Sequence, residues 1–205
     1  MDNVAAATPL EAQTNWQTKA QTDGQTKAQT EWLTEGQTQA IVAGSLLWLR
    51  PVRADDAAPL GALFGRQSFA MRRLRFNGAV SLSPERLAGW STPDGRQQGA
   101  WVVENSDAQG QVLLVDARWV RVSDNVAELA MLVDEAWHQR GLGAWALQAL
   151  QAQAHRVGLQ QLCARVAPHN TRMLRLLRRS GYTVSSQADD DGQTLLHSGS
   201  LAWTY

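Results

Sequence analysis

Dense apolar runs broken by short polar stretches fill the chain from about Ile41 onward, and nothing like them occurs before it. "SLLWLRPV" (Ser45 to Val52) is an extended apolar run closed by a proline, which predicts a strand. "ADDAAPLGALFGRQ" (Ala54 to Gln67) begins with acidic residues, where a helix N-terminus favours negative charge. "SPERLAGW" (Ser83 to Trp90) predicts a helix with Ser83 as N-cap, Pro84 at the first helical position and Glu85 in the first turn. Gly99–Asn105, Gln111–Val122 and Val126–Trp137 are β-rich runs separated by Gly, Ser, Asp and Asn, a pattern of an antiparallel meander. Gly143 to Gly158 predicts a long helix whose apolar positions include Leu147, Leu150 and Ala154. Leu159–Ala167 reads as a strand. Asn170–Gly181 reads as a helix, with an Asn cap, basic last turns and a glycine stop. "YTVSS" and "TLLHSGSLAWTY" complete the order β-α-α-β-β-β-α-β-α-β-β.

The first 40 residues follow a different rule. Between Gln13 and Ala40 threonine recurs every fourth residue, from Thr14 to Thr38, usually after glutamine. A four-residue step drifts off the helical period, and threonine is a mediocre helix former. That repeat has only Trp16, Trp32 and Leu33 to bury, and residues 1–40 read as a disordered or loosely helical tail. A docking segment built on the two tryptophans is the alternative. Residues 41–205 then form the folded domain.

Composition narrows the classes. A chain of 205 residues holds one domain plus a tail. Its formal net charge of zero gives no bulk attraction to nucleic acid or to a membrane. Cys163 is the single cysteine, so no internal disulfide forms, which fits a cytoplasmic protein. The N-terminus lacks the basic start and apolar run of a secretory signal. No apolar run reaches the ~20 residues of a membrane helix.

Chemistry concentrates at "WHQRGLGAWAL" (Trp137 to Leu147). A strand there gives way to a helix, whose first N–H groups lack intrahelical partners and lie at the positive end of its dipole. Gly141 and Gly143 carry no side chain, so an anion can approach the backbone, and a pyrophosphate suits such a cradle. A Gly-x-Gly pair also occurs in ordinary tight turns.

The strand–loop–helix setting, with the element order around it, resembles the GNAT superfamily of acetyl-CoA-dependent N-acetyltransferases over most of Leu47 to Val184. The signature of that family is Gln/Arg-x-x-Gly-x-Gly/Ala. Here it reads "HQRGLG", with His138 in the first position. The resemblance implies an α/β (α+β) fold: a mixed, mostly antiparallel sheet of six to seven strands flanked by about four helices. It implies contacts to the coenzyme pyrophosphate from His138, Gln139, Arg140, Gly141, Leu142, Gly143 and Ala144. "APHNTRMLRLLRRSGY" is similar to a later block of the family and puts Asn170 on a coenzyme-contacting asparagine, a role compatible with a helix cap. Many members carry a tyrosine seven residues further on, as acid for the leaving thiolate; here that position is Leu177. The stretches Leu49–Asp56, Ser68–Ala88, Ala127–Gly143 and Asn170–Tyr182 more narrowly resemble the acetyltransferase domain of bacterial protein lysine acetyltransferases.

That resemblance points to Glu128 as general base. An amine must lose a proton before attacking a thioester, because its ammonium form, with a pKa of ~10.4, has no lone pair. A carboxylate on the central strand can take it, and burial beside Leu129 and Met131 would raise its pKa and strengthen it as a base. The plainer alternative is a glutamate facing out of the sheet. In the family this strand splays from the next one and pantetheine lies in the gap, so Met131, Leu132 and Val133 would run along the coenzyme, with N–H groups able to hold an oxyanion.

Other candidates carry less. Cys163 reads as a buried, inert thiol. The four histidines match no metal-ligand spacing, so no metal is expected. "MRRLRF" (Met71 to Phe76) reads first as a solvated basic helix face, second as a surface for an acidic acceptor. Lys19 and Lys27 are the only lysines, both in the tail, so self-acetylation would be confined to them or to the N-terminus. Three functions stand together. They are acetyl transfer from acetyl-CoA to a protein lysine, transfer to a small-molecule amine, and coenzyme binding without turnover.

Overall fold

A computed structural model describes residues 37–76, 82–107, 110–188 and 194–198. The tail's tryptophans and lysines, and the chain end after Ser198, lie outside them. Eight strands form one sheet: β1 (Thr38–Val42), β2 (Ser45–Pro51), β3 (Gln98–Asp107), β4 (Gly110–Arg121), β5 (Val126–Val133), β6 (Gln161–Val166), β7 (Thr183–Ala188) and β8 (Thr194–His197). Their order is β1-β2-β3-β4-β5-β6-β8-β7, and every neighbouring pair is antiparallel except β5 with β6. The described helices are α1 (Ala57–Gly65), α2 (Phe69–Phe76), α3 (Pro84–Ser91), α4 (Leu142–Arg156) and α5 (Thr171–Arg179).

This is the mixed, mostly antiparallel sheet expected, with more strands and one more helix. The extra first strand starts at Thr38, inside the threonine repeat, and pairs through Ile41 and Val42 with Leu46 and Ser45. Strand β5 stops at Val133, short of the expected Trp137. Asp134 ends it by accepting a hydrogen bond from the Ala136 N–H (3.0 Å), which opens a 3-10 turn over Glu135–Trp137.

Helices cover both faces. On one face α4 buries Leu142, Ala146, Leu147, Ala149, Leu150 and Ala154 against Trp101, Trp119, Ala127 and Leu129. The alanines let its backbone lie close to the sheet. Gln153 of this helix accepts from the indole N–H of both Trp101 and Trp119 (3.1 Å each). Gly99 makes room for that arrangement, because a Cβ there would come within 2.5 Å of the Trp119 ring. On the other face Leu60, Leu63 and Phe64 of α1 pack on Ala100, Val102, Leu113 and Leu132, joined by Phe76, Leu87 and Trp90. Ser83 caps α3 as expected, its hydroxyl accepting from Arg86 N–H (3.3 Å).

The acidic start of "ADDAAPL" has a second job. Asp56 is fully buried and accepts both terminal nitrogens of Arg50 (2.7 Å each), the Arg53 N–H (2.7 Å) and Gln111 (3.0 Å). Arg50 also meets Glu104 at 2.6 Å. This network fastens the entry to α1 onto the sheet.

Candidate active site

Strands β5 and β6 pair only from Val126↔Gln161 to Glu128↔Cys163. Beyond that pair they separate, and a cavity of about 330 Å³ opens. Glu128, Leu129, Ala130 and Met131 line one side, and Ala164, Arg165 and Val166 the other. Asn170 and Met173 of the α5 region and Leu74, Arg75 and Phe76 of α2 close it. A backbone edge without a strand partner, beside a cavity, can take an extended ligand as though it were another strand.

Glu128 stands where the strands divide. Cross-strand register puts it on the same face as Asp116 and Arg118 of β4, the face covered by α1, α2 and α3. Its side chain is 32% exposed and lies 3.3 Å from Arg165. The apolar surroundings expected from Leu129 and Met131 are therefore not what it has. Leu129 turns into the α4 core, and an arginine two residues past Cys163 faces the carboxylate instead. Cys163 itself is buried, and desolvation, with the charge of Glu128 behind it, pushes its thiol pKa up. That is the environment of an inert thiol.

The two glycines beyond the strand do different work. Gly141 caps α4 with φ +84°, a left-handed conformation that disfavours any Cβ. Gln139, two residues earlier, also has positive φ (+61°), so the loop turns twice through the left-handed region. Such turns direct successive N–H groups inward, a form that binds anions. Gly143 matters for space: a Cβ would sit 3.2 Å from Leu176 Cδ2 and 3.5 Å from Met131 Sδ and Val133 Cγ2. Leu142 is buried and anchors the helix start. Arg140 lies over the Trp137 ring, 4.7 Å from its centroid. His138 does not present its Nε2 outward; that atom bonds the Val133 carbonyl at 3.0 Å.

Asn170 caps α5, its side-chain oxygen accepting from Met173 N–H (3.2 Å), while the residue lines the cavity. Met131 lines it too; the Leu132 side chain packs in the opposite core, and Val133 is half-buried against α4. Leu177 is fully buried in the main core, so that position presents no proton donor to the cavity. Tyr182 is buried as well, which pushes its hydroxyl pKa up.

Reading "MRRLRF" as a solvated face holds for Arg73 and fails for Arg75. The Arg75 side chain is 10% exposed and its guanidinium lies 3.6 Å from Asp116. Sequence missed this because the partner is on β4, 41 positions away by number. The link between α1 and α2 is tied to the 3-10 turn that leads into the glycine loop as well. Arg66 Nε donates to Asp134, and the Glu135 carboxylate accepts from Ser68 N–H (2.7 Å) and Ser68 hydroxyl (3.0 Å). Among the described residues no group of three or more His, Cys, Asp or Glu could hold a metal ion, and no helix is long and apolar enough to cross a membrane.

With Gly141→Val, coenzyme A affinity is expected to fall about tenfold, because a β-branched residue resists φ +84° by more than ~1 kcal/mol. Gly143→Ala should cost less, since Leu176 Cδ2 is the end of a flexible side chain. Calorimetric titration reads both; wild-type affinity in Gly141→Val would mean the loop does not hold the ligand.

Comparison with known proteins agrees with the geometry. Residues 47–183 match the family model described as acetyltransferase (GNAT) domain. The chain is 32% identical over 142 residues to acetyltransferase Pat of Mycolicibacterium smegmatis, covering 67% of this chain and 41% of that protein. It thus spans about two fifths of the length of that curated relative. Among solved structures, the GNAT domain of S. lividans PAT superposes with a TM-score of 0.70 at 23% identity, covering 78% of this chain and 95% of that one. The yncA protein of Salmonella typhimurium, solved with its cofactor acetyl-CoA, gives 0.60 at 19% identity, covering 77% and 95%. The matched residues run from the second strand to the seventh and take in the cavity, the glycine loop and Asn170, so the chain belongs to the GNAT acetyltransferase family.

Proposed function

We propose that this chain moves the acetyl group of acetyl-CoA directly onto a primary amine, a protein lysine, with Glu128 as general base. The observation that carries the reading is the position of the Glu128 carboxylate, on the cavity wall at the point where β5 and β6 separate. Acetyl-CoA supplies a thioester carbon open to attack by an amine. In this reading the turn from Gln139 to Ala144 offers N–H groups and a helix dipole to the pyrophosphate. The stretch of β5 at Met131, Leu132 and Val133, paired with β4 but past the end of its pairing with β6, lies along the pantetheine and meets the oxyanion from its β6-facing side. Asn170 serves as cap and as coenzyme contact.

Glu128 takes the ammonium proton, directly or through a water, and frees the lone pair that attacks. Arg165 holds the carboxylate toward the cavity. With Leu177 in the core, the departing thiolate takes, relayed by water, the second proton that the nitrogen sheds as the tetrahedral intermediate collapses to the amide. A lysine acceptor is favoured by the resemblance of Leu49–Asp56, Ser68–Ala88, Ala127–Gly143 and Asn170–Tyr182 to bacterial protein lysine acetyltransferases. A cytoplasmic location fits such an acceptor and the lone cysteine.

Calorimetry with acetyl-CoA and a thiol-release assay with a lysine peptide and with small amines test the reading. Expected are saturable binding and thiol release that depends on the peptide. Failure to bind coenzyme overturns it. Binding without release under any acceptor leaves a coenzyme-binding domain, and release with small amines alone moves the acceptor class.

A further inference from the structure

The cavity wall supplied by α2 carries a charge that the reaction does not use. Asp116 and Arg118 of β4 and Arg75 of α2 meet beneath it, two guanidinium groups around one carboxylate. Arg118 donates from Nε to Asp116 Oδ2 at 2.9 Å and from Nη1 to the Trp90 carbonyl at 2.8 Å. Its Nη2 lies 2.7 Å from Oδ1 as an ion pair without hydrogen-bond geometry, so those two atoms are buried without a hydrogen-bond partner among the described residues. Arg75 is left at 3.6 Å from Asp116. Its Nε is buried and has no hydrogen-bond partner among the described residues. A buried, unpaired donor on a charged group is costly and calls for an explanation.

The guanidinium is also held in place. It lies 5.1 Å from the Phe76 ring centroid and 6.0 Å from that of Trp90, and these two rings stack at 5.7 Å. Burial pushes the Arg75 pKa down; Asp116 and Glu128 pull it up, and Arg118 opposes them. An arginine nonetheless stays protonated, so the positive charge is under-compensated. Arg75 lines the same cavity as Glu128.

Resting on the reading of Glu128 as the base, we infer that Arg75 selects the acceptor by binding a carboxylate beside the reacting amine, so that the favoured lysine is one preceded or followed by an acidic residue. Glu128 meets the ammonium and Arg75 the neighbouring anion. An amine with no acid next to it leaves the Arg75 guanidinium with only the shared Asp116 carboxylate, at 3.6 Å, as an ion-pair partner among the described residues. A guanidinium suits this task better than an ammonium, because its planar fork fits a carboxylate.

Two blocked hexapeptides test this, one with its single lysine preceded by glutamate and the other its glutamine twin. Titrated into the protein loaded with coenzyme A, the glutamate peptide is expected to bind on the order of ten- to hundredfold more tightly, with kcat/KM in the acetyl-CoA assay following. In Arg75→Met, which keeps the volume and removes the charge, the ratio should fall to about one, and in Arg75→Lys it should fall only in part. Melting curves and coenzyme affinity check that Arg75→Met is folded. Equal affinity of the twins for the wild type overturns the inference, and so does discrimination that survives Arg75→Met. Those binding results stand apart from turnover. If neither peptide is acetylated yet the glutamate twin still binds better, the base reading fails and the anion site remains.

Discussion

Glu128→Gln is expected to lower kcat for acetyl transfer by about 10²–10⁴-fold, the usual contribution of a positioned base. The amide is nearly isosteric and still reaches Arg165 with its oxygen, so coenzyme affinity and melting temperature should change little. Because the amine must arrive deprotonated when the base is missing, residual activity in the variant should climb as pH rises toward ~10.4. Wild-type rates from Glu128→Gln would remove Glu128 from the chemistry and leave its pairing with Arg165 as its role. Thiol release at pH 7 and pH 9 in both proteins separates these outcomes.

Asp56→Ala is expected to produce the largest loss of stability. It strips Arg50, which is 2% exposed, of both bonds to Asp56 and leaves a buried cation held by Glu104 and the Pro51 carbonyl. Removing one partner of a buried pair costs about 3–5 kcal/mol. For a domain of this size that is roughly 6–20 °C in melting temperature. Acid should shrink the difference. Burial pushes the Asp56 pKa up, but Arg50, the Arg53 N–H and Gln111 outweigh it and hold the carboxyl below its ordinary value. A depressed carboxyl adds stability that is complete above the unfolded value near ~3.9 and is lost as pH falls through the folded one. The gap between wild type and variant should therefore hold at neutral pH and narrow below about pH 4. Unfolding curves across that window check the sign.

Much of the layout was legible because its signals are local. The meander, the α4 stripe and the Ser83 and Asn170 caps each depend on residues a few positions apart. So does the Gly141 turn, where backbone conformation alone demands glycine. What escaped depends on contacts between distant segments. Strand β1 hides inside a threonine repeat and is held by its hairpin partner. Asp56 looked like a favourable charge at a helix start until Arg50 and Gln111 were seen around it. Arg75 belongs to a run of exposed-looking basic residues, and only the fold brings Asp116, Phe76 and Trp90 to it. The glycine pair looked like one signal and has two causes, conformation at Gly141 and contact with Leu176 at Gly143. The surroundings of Glu128 were misjudged because alternation assigns faces but does not reveal what the next strand puts opposite.

The ties from Asp134 and Glu135 to Arg66 and Ser68 carry a mechanical consequence. They clamp the start of α2 to the segment that leads into the Gly141 turn. In the proposed reading, a diphosphate bound at that turn would also steady the helix that bears Arg75. The acceptor then meets a preformed wall instead of having to arrange one, and linkage requires the help to run equally in the other direction. These few bonds are therefore expected to couple coenzyme binding to acceptor binding, which comparison of peptide affinity with and without coenzyme A reads directly.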